Sequence, residues 1–221
     1  MGACGYGSSG GTLYDGKVGA VSRTMFRKGA GCNACYQIRC IDPKLCRNTG
    51  EKVMVIDFTE NDQTNFVVTT QTFSNLALPE KRDELSNKGI VDIEYKRIVC
   101  EYMGKNLSVK VDERSNYPSY LVVQFWQQGG QTDIEAVDVA QVGSYSWSNM
   151  KRNFGGVWDI DTPPIGPLQF RVLVTSGYDR KWVSSKYVLP SDWKEGIVYD
   201  SGVQIEDIAQ ESCNPCDTSN W

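Results

Sequence analysis

The 221-residue chain contains no histidine, which removes the commonest general base and the commonest metal ligand. Ser-His and Cys-His triads and histidine-bearing zinc sites are thereby excluded. No apolar stretch reaches the roughly 18 residues that a membrane-spanning helix needs, so no membrane partner is expected. No run of five Lys or Arg occurs, the net charge is -4 and the pI is near 5.0. An electrostatic grip on nucleic acid or anionic lipid is not expected from such a chain, and a neutral partner fits better. The Gly-rich start, Gly2 to Gly11, lacks the Gly-Lys-Ser/Thr ending of a phosphate loop, and no helical pattern follows it, so it reads as turns.

Eight cysteines are present, at 4, 32, 35, 40, 46, 100, 213 and 216. An even number crowded into the first hundred residues suits a disulfide framework of an oxidising compartment. Thiolate zinc sites built from Cys32-x-x-Cys35 and Cys213-x-x-Cys216 are the competing reading, although they leave Cys4, Cys40, Cys46 and Cys100 without a role. Secretion is expected from the first reading. Asn106-Leu107-Ser108 adds a glycosylation sequon at Asn106. The chain opens almost directly on Gly2-Ala3-Cys4, so a leader and a first strand are expected to be absent from it.

The first hundred residues show short strand-like runs between turn residues, at 35–40, 52–58, 66–69 and 90–95, with helical stretches at 72–78 and 80–87. From about Lys105 the texture changes to longer strands at regular spacing and no cysteine appears until Cys213, as in a β-sandwich. Leu107, Val109 and Val111 alternate with Ser108 and Lys110, and Leu121, Val123 and Phe125 with Tyr120, Gln124 and Trp126. Leu168 to Val174 repeats the pattern, each run predicting one buried and one wet face. The expected organisation is 1–103, 104–205 and a tail of 206–221.

A glycoside hydrolase usually needs two carboxyl groups. Asp57, at the end of the apolar run Val53-Met54-Val55-Ile56, stands where a barrel strand would present it at a rim, although a solvated turn residue would look the same. Asp92 and Glu94 fall on a wet face. Tyr120 and Trp126 share the side of their strand opposite the core face, about 20 Å apart at roughly 3.3 Å per residue. Exposed rings on a flat sheet suit the apolar faces of sugars.

The motifs Gly2-Ala3-Cys4-Gly5-Tyr6-Gly7, Gly29-Ala-Gly-Cys-Asn-Ala-Cys-Tyr-Gln-Ile-Arg-Cys40 and Gly89-Ile-Val-Asp-Ile-Glu-Tyr-Lys-Arg-Ile-Val-Cys100 resemble the first domain of expansins. Pro118-Ser-Tyr-Leu121, Ala136-Val-Asp-Val-Ala-Gln-Val-Gly143, Leu168-Gln-Phe-Arg171 and Leu189-Pro-Ser-Asp-Trp193 resemble the second. The tail is similar to that of expansin-like A proteins, and the resemblance spans essentially the whole chain. It implies an all-β protein, a six-stranded double-psi β-barrel followed by an immunoglobulin-like β-sandwich, with disulfides Cys4–Cys32, Cys35–Cys100 and Cys40–Cys46, which leaves Cys213–Cys216.

The resemblance further implies a secreted, monomeric, non-enzymatic plant cell-wall protein that needs no cofactor or metal. It would bind cellulose or xyloglucan and loosen the wall. The family commonly keeps an acid in a His-Phe-Asp motif; the matching segment here is Asn65-Phe66-Val67, where valine cannot transfer a proton. Asp57 matches the family's other groove acid. Tyr120 matches a platform aromatic, and Phe154 falls where Trp or Tyr is usual. The expected polysaccharide surface is therefore Asp57, Tyr120 and Phe154, with Trp126 added from strand parity. Trp158 could equally be core. The alternatives are a purely binding wall protein and a weak glycosidase using Asp57 with another acid.

Overall fold

The computed structural model describes residues 2–61, 63–176 and 179–208. The Gly-rich start, read as turns, winds into 3-10 turns over Gly7–Gly16. There follow β1 (Val18–Ser22), α1 (Arg23–Phe26), β2 (Cys35–Cys40), β3 (Glu51–Thr59), β4 (Phe66–Val68), α2 (Thr70–Asn75), α3 (Arg82–Lys88) and β5 (Ile93–Ile98). The Thr69 hydroxyl caps α2 by accepting from the Thr72 amide, and Gly89 ends α3 in a positive-φ conformation that suits glycine. Strand β5 starts three residues later than the apolar run at 90–95 suggests. Its first pairing is Ile93 with Cys40, and Ile90 is left exposed.

These strands form a nearly closed barrel sheet in the order β4-β1-β3-β2-β5, with β1 parallel to β3 and the other pairs antiparallel. It is the double-psi barrel, with five of the six expected strands among the described residues. Val21, Ile38, Val53, Val55, Leu76 and Leu85 fill it. Three disulfides staple it: Cys4–Cys32, Cys35–Cys100 and Cys40–Cys46. They consume both cysteines of the first C-x-x-C pair and so rule out zinc there. The expected Cys213–Cys216 pair lies outside the described residues.

The second unit comprises β6 (Ser108–Val111), β7 (Tyr120–Trp126), β8 (Asp133–Gln141), β9 (Ser148–Phe154), β10 (Val157–Asp161), β11 (Leu168–Thr175), β12 (Arg180–Leu189) and β13 (Val198–Asp200). They are hydrogen-bonded in the order β12-β11-β8-β9-β10-β7-β6-β13 and fold over into a sandwich. Its core is Leu121, Val123, Phe125, Val137, Phe170 and their neighbours, including Trp158. Strand β11 alternates buried and half-buried along its length, as its sequence predicts. Ile205 and Ile208 also enter this core, the second of them from the stretch expected to be tail.

The two units pack on each other through the outer face of β7 and through residues of β8 and β9. Gln124, expected to be wet, is buried and donates to the Cys4 carbonyl at 3.3 Å. Asn33 donates to the Phe125 carbonyl at 3.0 Å. Asp133 takes Arg27 and Arg97 of the barrel, each at 2.6 Å. Ser108 and Lys110 are buried too. On β7 the predicted wet face becomes a junction at Gln124 and Trp126, where the barrel meets it.

Candidate functional site

Asp57 owes its position to a register irregularity. Strand β1 pairs Gly19 with Val55 but Ala20 with Asp57, so β3 carries one extra residue, Ile56. Without it Asp57 would share the inward face of Val53 and Val55. With it, Phe58 pairs with Val21 and packs against the core while Asp57 turns to the other face. A bulge that re-aims one side chain in this way is a recurrent device beside binding sites. Asp57 Oδ1 accepts the amides of Ala3 at 2.7 Å and Phe58 at 2.8 Å. Among the described residues no donor sits on Oδ2, which is the oxygen available to a ligand.

Ala20 pairs with Asp57 on one side and with Val67 on the other, so these three side chains line up across β3, β1 and β4. At about 4.8 Å per strand spacing, Val67 stands roughly 10 Å from Asp57. That is close to the separation an inverting pair of carboxyls requires. The position facing Asp57 thus holds a hydrocarbon side chain, 47% exposed.

The sandwich presents a second cluster. The Tyr120 hydroxyl donates to Asp159 Oδ2 at 2.6 Å, and Asn153 Nδ2 donates to the same oxygen at 2.9 Å. That bond to Asp159 pushes the Tyr120 hydroxyl above its ordinary pKa and holds the ring in one orientation. Phe154, half-buried, lies under the Arg114 guanidinium at 4.8 Å. Arg114 is fixed in turn by Asp112, through Nε at 2.6 Å and Nη2 at 2.9 Å. Asp159, Asn153, Arg114 and Asp112 were not singled out from the sequence. Their roles arise from pairings between β6, β7, β9 and β10, and the only local signal was Asp159 between the apolar Trp158 and Ile160.

Backbone contact joins the two clusters. A side-chain carbon at Gly5 would meet Gln124, Val157 and Phe154, at 2.6, 2.6 and 3.2 Å. One at Gly155 would overlap the Ala3 carbonyl. The Ala3 amide that holds Asp57 and the turn that follows Phe154 are therefore neighbours, and Asp57, Phe154 and Tyr120 succeed one another across the junction. Trp126 is not among them. It lies beyond Gln124 on β7, edge-on to Tyr6 at 6.1 Å, with its Nε1 donating to Gln124 and the Lys110 ammonium 5.5 Å above its ring. Asn106, the sequon residue, donates its amide to Asp200 at 3.2 Å just before β6. Among the described residues no cluster of three acids or thiols is placed to hold a metal.

Residues 107–190 match the Expansin C-terminal domain model. Expansin-like A1 of Arabidopsis thaliana is 46% identical over 223 residues, covering 100% of this chain and 84% of that protein. Expansin-like A3 of Oryza sativa subsp. japonica is 47% identical over 210 residues, covering 95% and 76%. Among solved structures, the apo expansin of Clavibacter michiganensis superposes with a TM-score of 0.70 at 20% identity, over 92% of this chain and 88% of that one. A point mutant of that expansin, solved in complex with cellohexaose, gives 0.66 at 21% identity over 86% and 83%.

Proposed function

The chain belongs to the expansin superfamily, with expansin-like A proteins among its relatives, and from that premise we propose that it binds neutral wall polysaccharide along Asp57, Phe154 and Tyr120 without hydrolysing it. The observation that carries the proposal is the row Asp57–Ala20–Val67, in which the place of a second carboxyl is taken by valine. One carboxylate can accept from a sugar hydroxyl, but it cannot supply both the acid and the base of glycoside cleavage. The cellohexaose held by the Clavibacter expansin supports a β-glucan as the ligand.

The rings contribute stacking of about 0.5–1.5 kcal/mol each beyond area burial, which gives modest affinity spread along a chain. Sugar–protein contacts would then replace sugar–sugar contacts and loosen the wall by competition. The setting is extracellular, where the three disulfides persist.

Retention on cellulose and on xyloglucan-coated cellulose tests the proposal. Tyr120→Ala and Phe154→Ala should each lower retention by about two- to tenfold, with no reducing sugar in the supernatant. Equal retention by wild type and both variants, or sugar release that Asp57→Asn abolishes, would overturn it. Creep of isolated walls under load separates loosening from binding alone.

A further inference from the structure

At the far end of β7 from Tyr120, a cleft of about 390 Å³ lies between Trp126 and the turn-rich start of the barrel. The barrel backbone at Cys4 and Gly5, resting on Gln124, separates it from Phe154 and Tyr120. Its walls are aromatic. Trp126 meets Tyr6 edge-on, and Tyr14 meets Tyr102 edge-on at 5.8 Å. The Tyr102 hydroxyl donates to the Met54 sulfur at 3.1 Å, which closes the floor. Asp15, Glu101 and Gln127 stand among the polar groups of the lining.

Backbone geometry marks the same place. Seven non-glycine residues adopt positive φ among those described, and four of them line this cleft: Tyr14 at 49°, Asp15 at 57°, Asn33 at 66° and Gln127 at 58°. Sparsely populated conformations of this kind persist only where the surroundings hold them, and they concentrate at ligand sites. Burial pushes the Tyr6 and Tyr14 hydroxyls above their ordinary pKa. Nothing in the proposed function uses these residues.

The lining selects its ligand. Ring walls suit the C–H face of a pyranose, and carboxylates accept from its hydroxyls. Lys105 lines the cleft beside the two acids, and Glu101 is paired with Lys52 at 2.9 Å, so little net charge is left in the lining and a neutral ligand suits it. The volume is at the low end of the roughly 300–1,000 Å³ typical of small-molecule sites, enough for a ring or two and too little for an extended chain. We propose that this cleft binds a single neutral pyranose, a branch or end residue of the polysaccharide carried on the Asp57–Phe154–Tyr120 surface. The link to that polysaccharide rests on the proposed function; the cleft itself does not.

The test titrates methyl β-glucoside and methyl α-xyloside, with coniferyl alcohol as a phenolic comparison, while observing the indole N–H signals by NMR. Trp126→Phe assigns the Trp126 signal. Asp15 is exposed and asparagine tolerates its positive φ, so Asp15→Asn should fold normally. The Trp126 signal should move saturably with a glycoside, and Asp15→Asn should weaken that binding about tenfold, as for loss of a hydrogen bond to a charged group. Tyr120→Ala should leave it unchanged. An unmoved Trp126 signal, equal titration in Asp15→Asn, or a response to coniferyl alcohol alone would overturn the inference. Cellulose retention measured on the same samples keeps the two proposals apart: if wild type fails to bind cellulose yet Trp126 still responds, the platform fails and the cleft stands.

Discussion

Arg114 links a buried acid to a half-buried ring. Asp112 grips it in the plane of the guanidinium, and Phe154 lies against its face. Burial pushes the Asp112 carboxyl up, but the hydrogen bonds and charge of Arg114 outweigh that and leave it below its ordinary value. A depressed acid contributes stability that is complete above its unfolded pKa, about 3.9 for Asp, and is lost as pH falls through the folded value. Retention on cellulose should therefore be flat from about pH 7 to pH 4 and decline only below that. Asp112→Asn should lower retention about two- to fivefold at neutral pH, the worth of one exposed cation–π contact. Depletion isotherms at several pH values check both; an isotherm for Asp112→Asn that overlays wild type would show that Arg114 does not order the ring.

Some of this was readable from single residues. Asp57, Tyr120 and Phe154 stood out as candidates by type, parity and family resemblance. Asp159, Asn153 and Arg114 did not, because their value lies in partners on other strands. Trp126 shows a different limit: parity tells which face of a strand a side chain takes, not whether water or another unit lies on that face.

At the scale of elements, periodicity predicts well where one face meets the core and the other meets water. Strand β11 behaves so. Strand β6 is buried at all four positions, with the Trp126 ring and Glu113 against the side that Lys110 occupies. The bulge in β3 left no mark in the sequence either, because both alternations through Ile56 and Asp57 look equally regular. Disulfide connectivity was likewise beyond spacing alone, and only the family resemblance supplied it.

The Cys35–Cys100 bridge ties β2 to the residues just beyond β5 across a sequence separation of 65. In the chain-entropy model such a loop is worth about 4 kcal/mol, and the separation of 28 at Cys4–Cys32 somewhat less, about 3.6 kcal/mol. Cys35→Ser with Cys100→Ser should thus lower the barrel's unfolding free energy by several kcal/mol in denaturant titrations. Because no described sandwich residue is part of a disulfide, near-UV signals from its core Trp158 and Trp193 should change much less. Equal loss in both units would show that they unfold as one.

For the whole molecule, what matters is the angle between the units, because Asp57 belongs to one and Tyr120 to the other. Glycine makes the close approach possible. Gly155, at φ 51°, faces the Ala3 carbonyl, and a side-chain carbon at Gly29 would overlap the Gly155 carbonyl. Backbone lies on both sides and cannot swing away as a side chain would.

Asp133 then locks the arrangement. Burial raises its pKa, and Arg27 and Arg97 more than offset this, holding the carboxyl below the ordinary range. By the same sign rule the lock is complete above about pH 4 and fails on further acidification. Asp133→Asn should reproduce the acid state at neutral pH. It should cost about 2 kcal/mol, below the roughly 3–5 kcal/mol of a fully buried pair, because Arg27 is 42% exposed. Gly155→Ala should open the same junction by steric pressure at any pH. In small-angle scattering both variants should show a larger radius of gyration. Both should also retain less cellulose, although neither residue lies on the Asp57–Phe154–Tyr120 row. Unchanged dimensions with unchanged retention would mean that the junction does not set the row, and that each unit holds polysaccharide on its own.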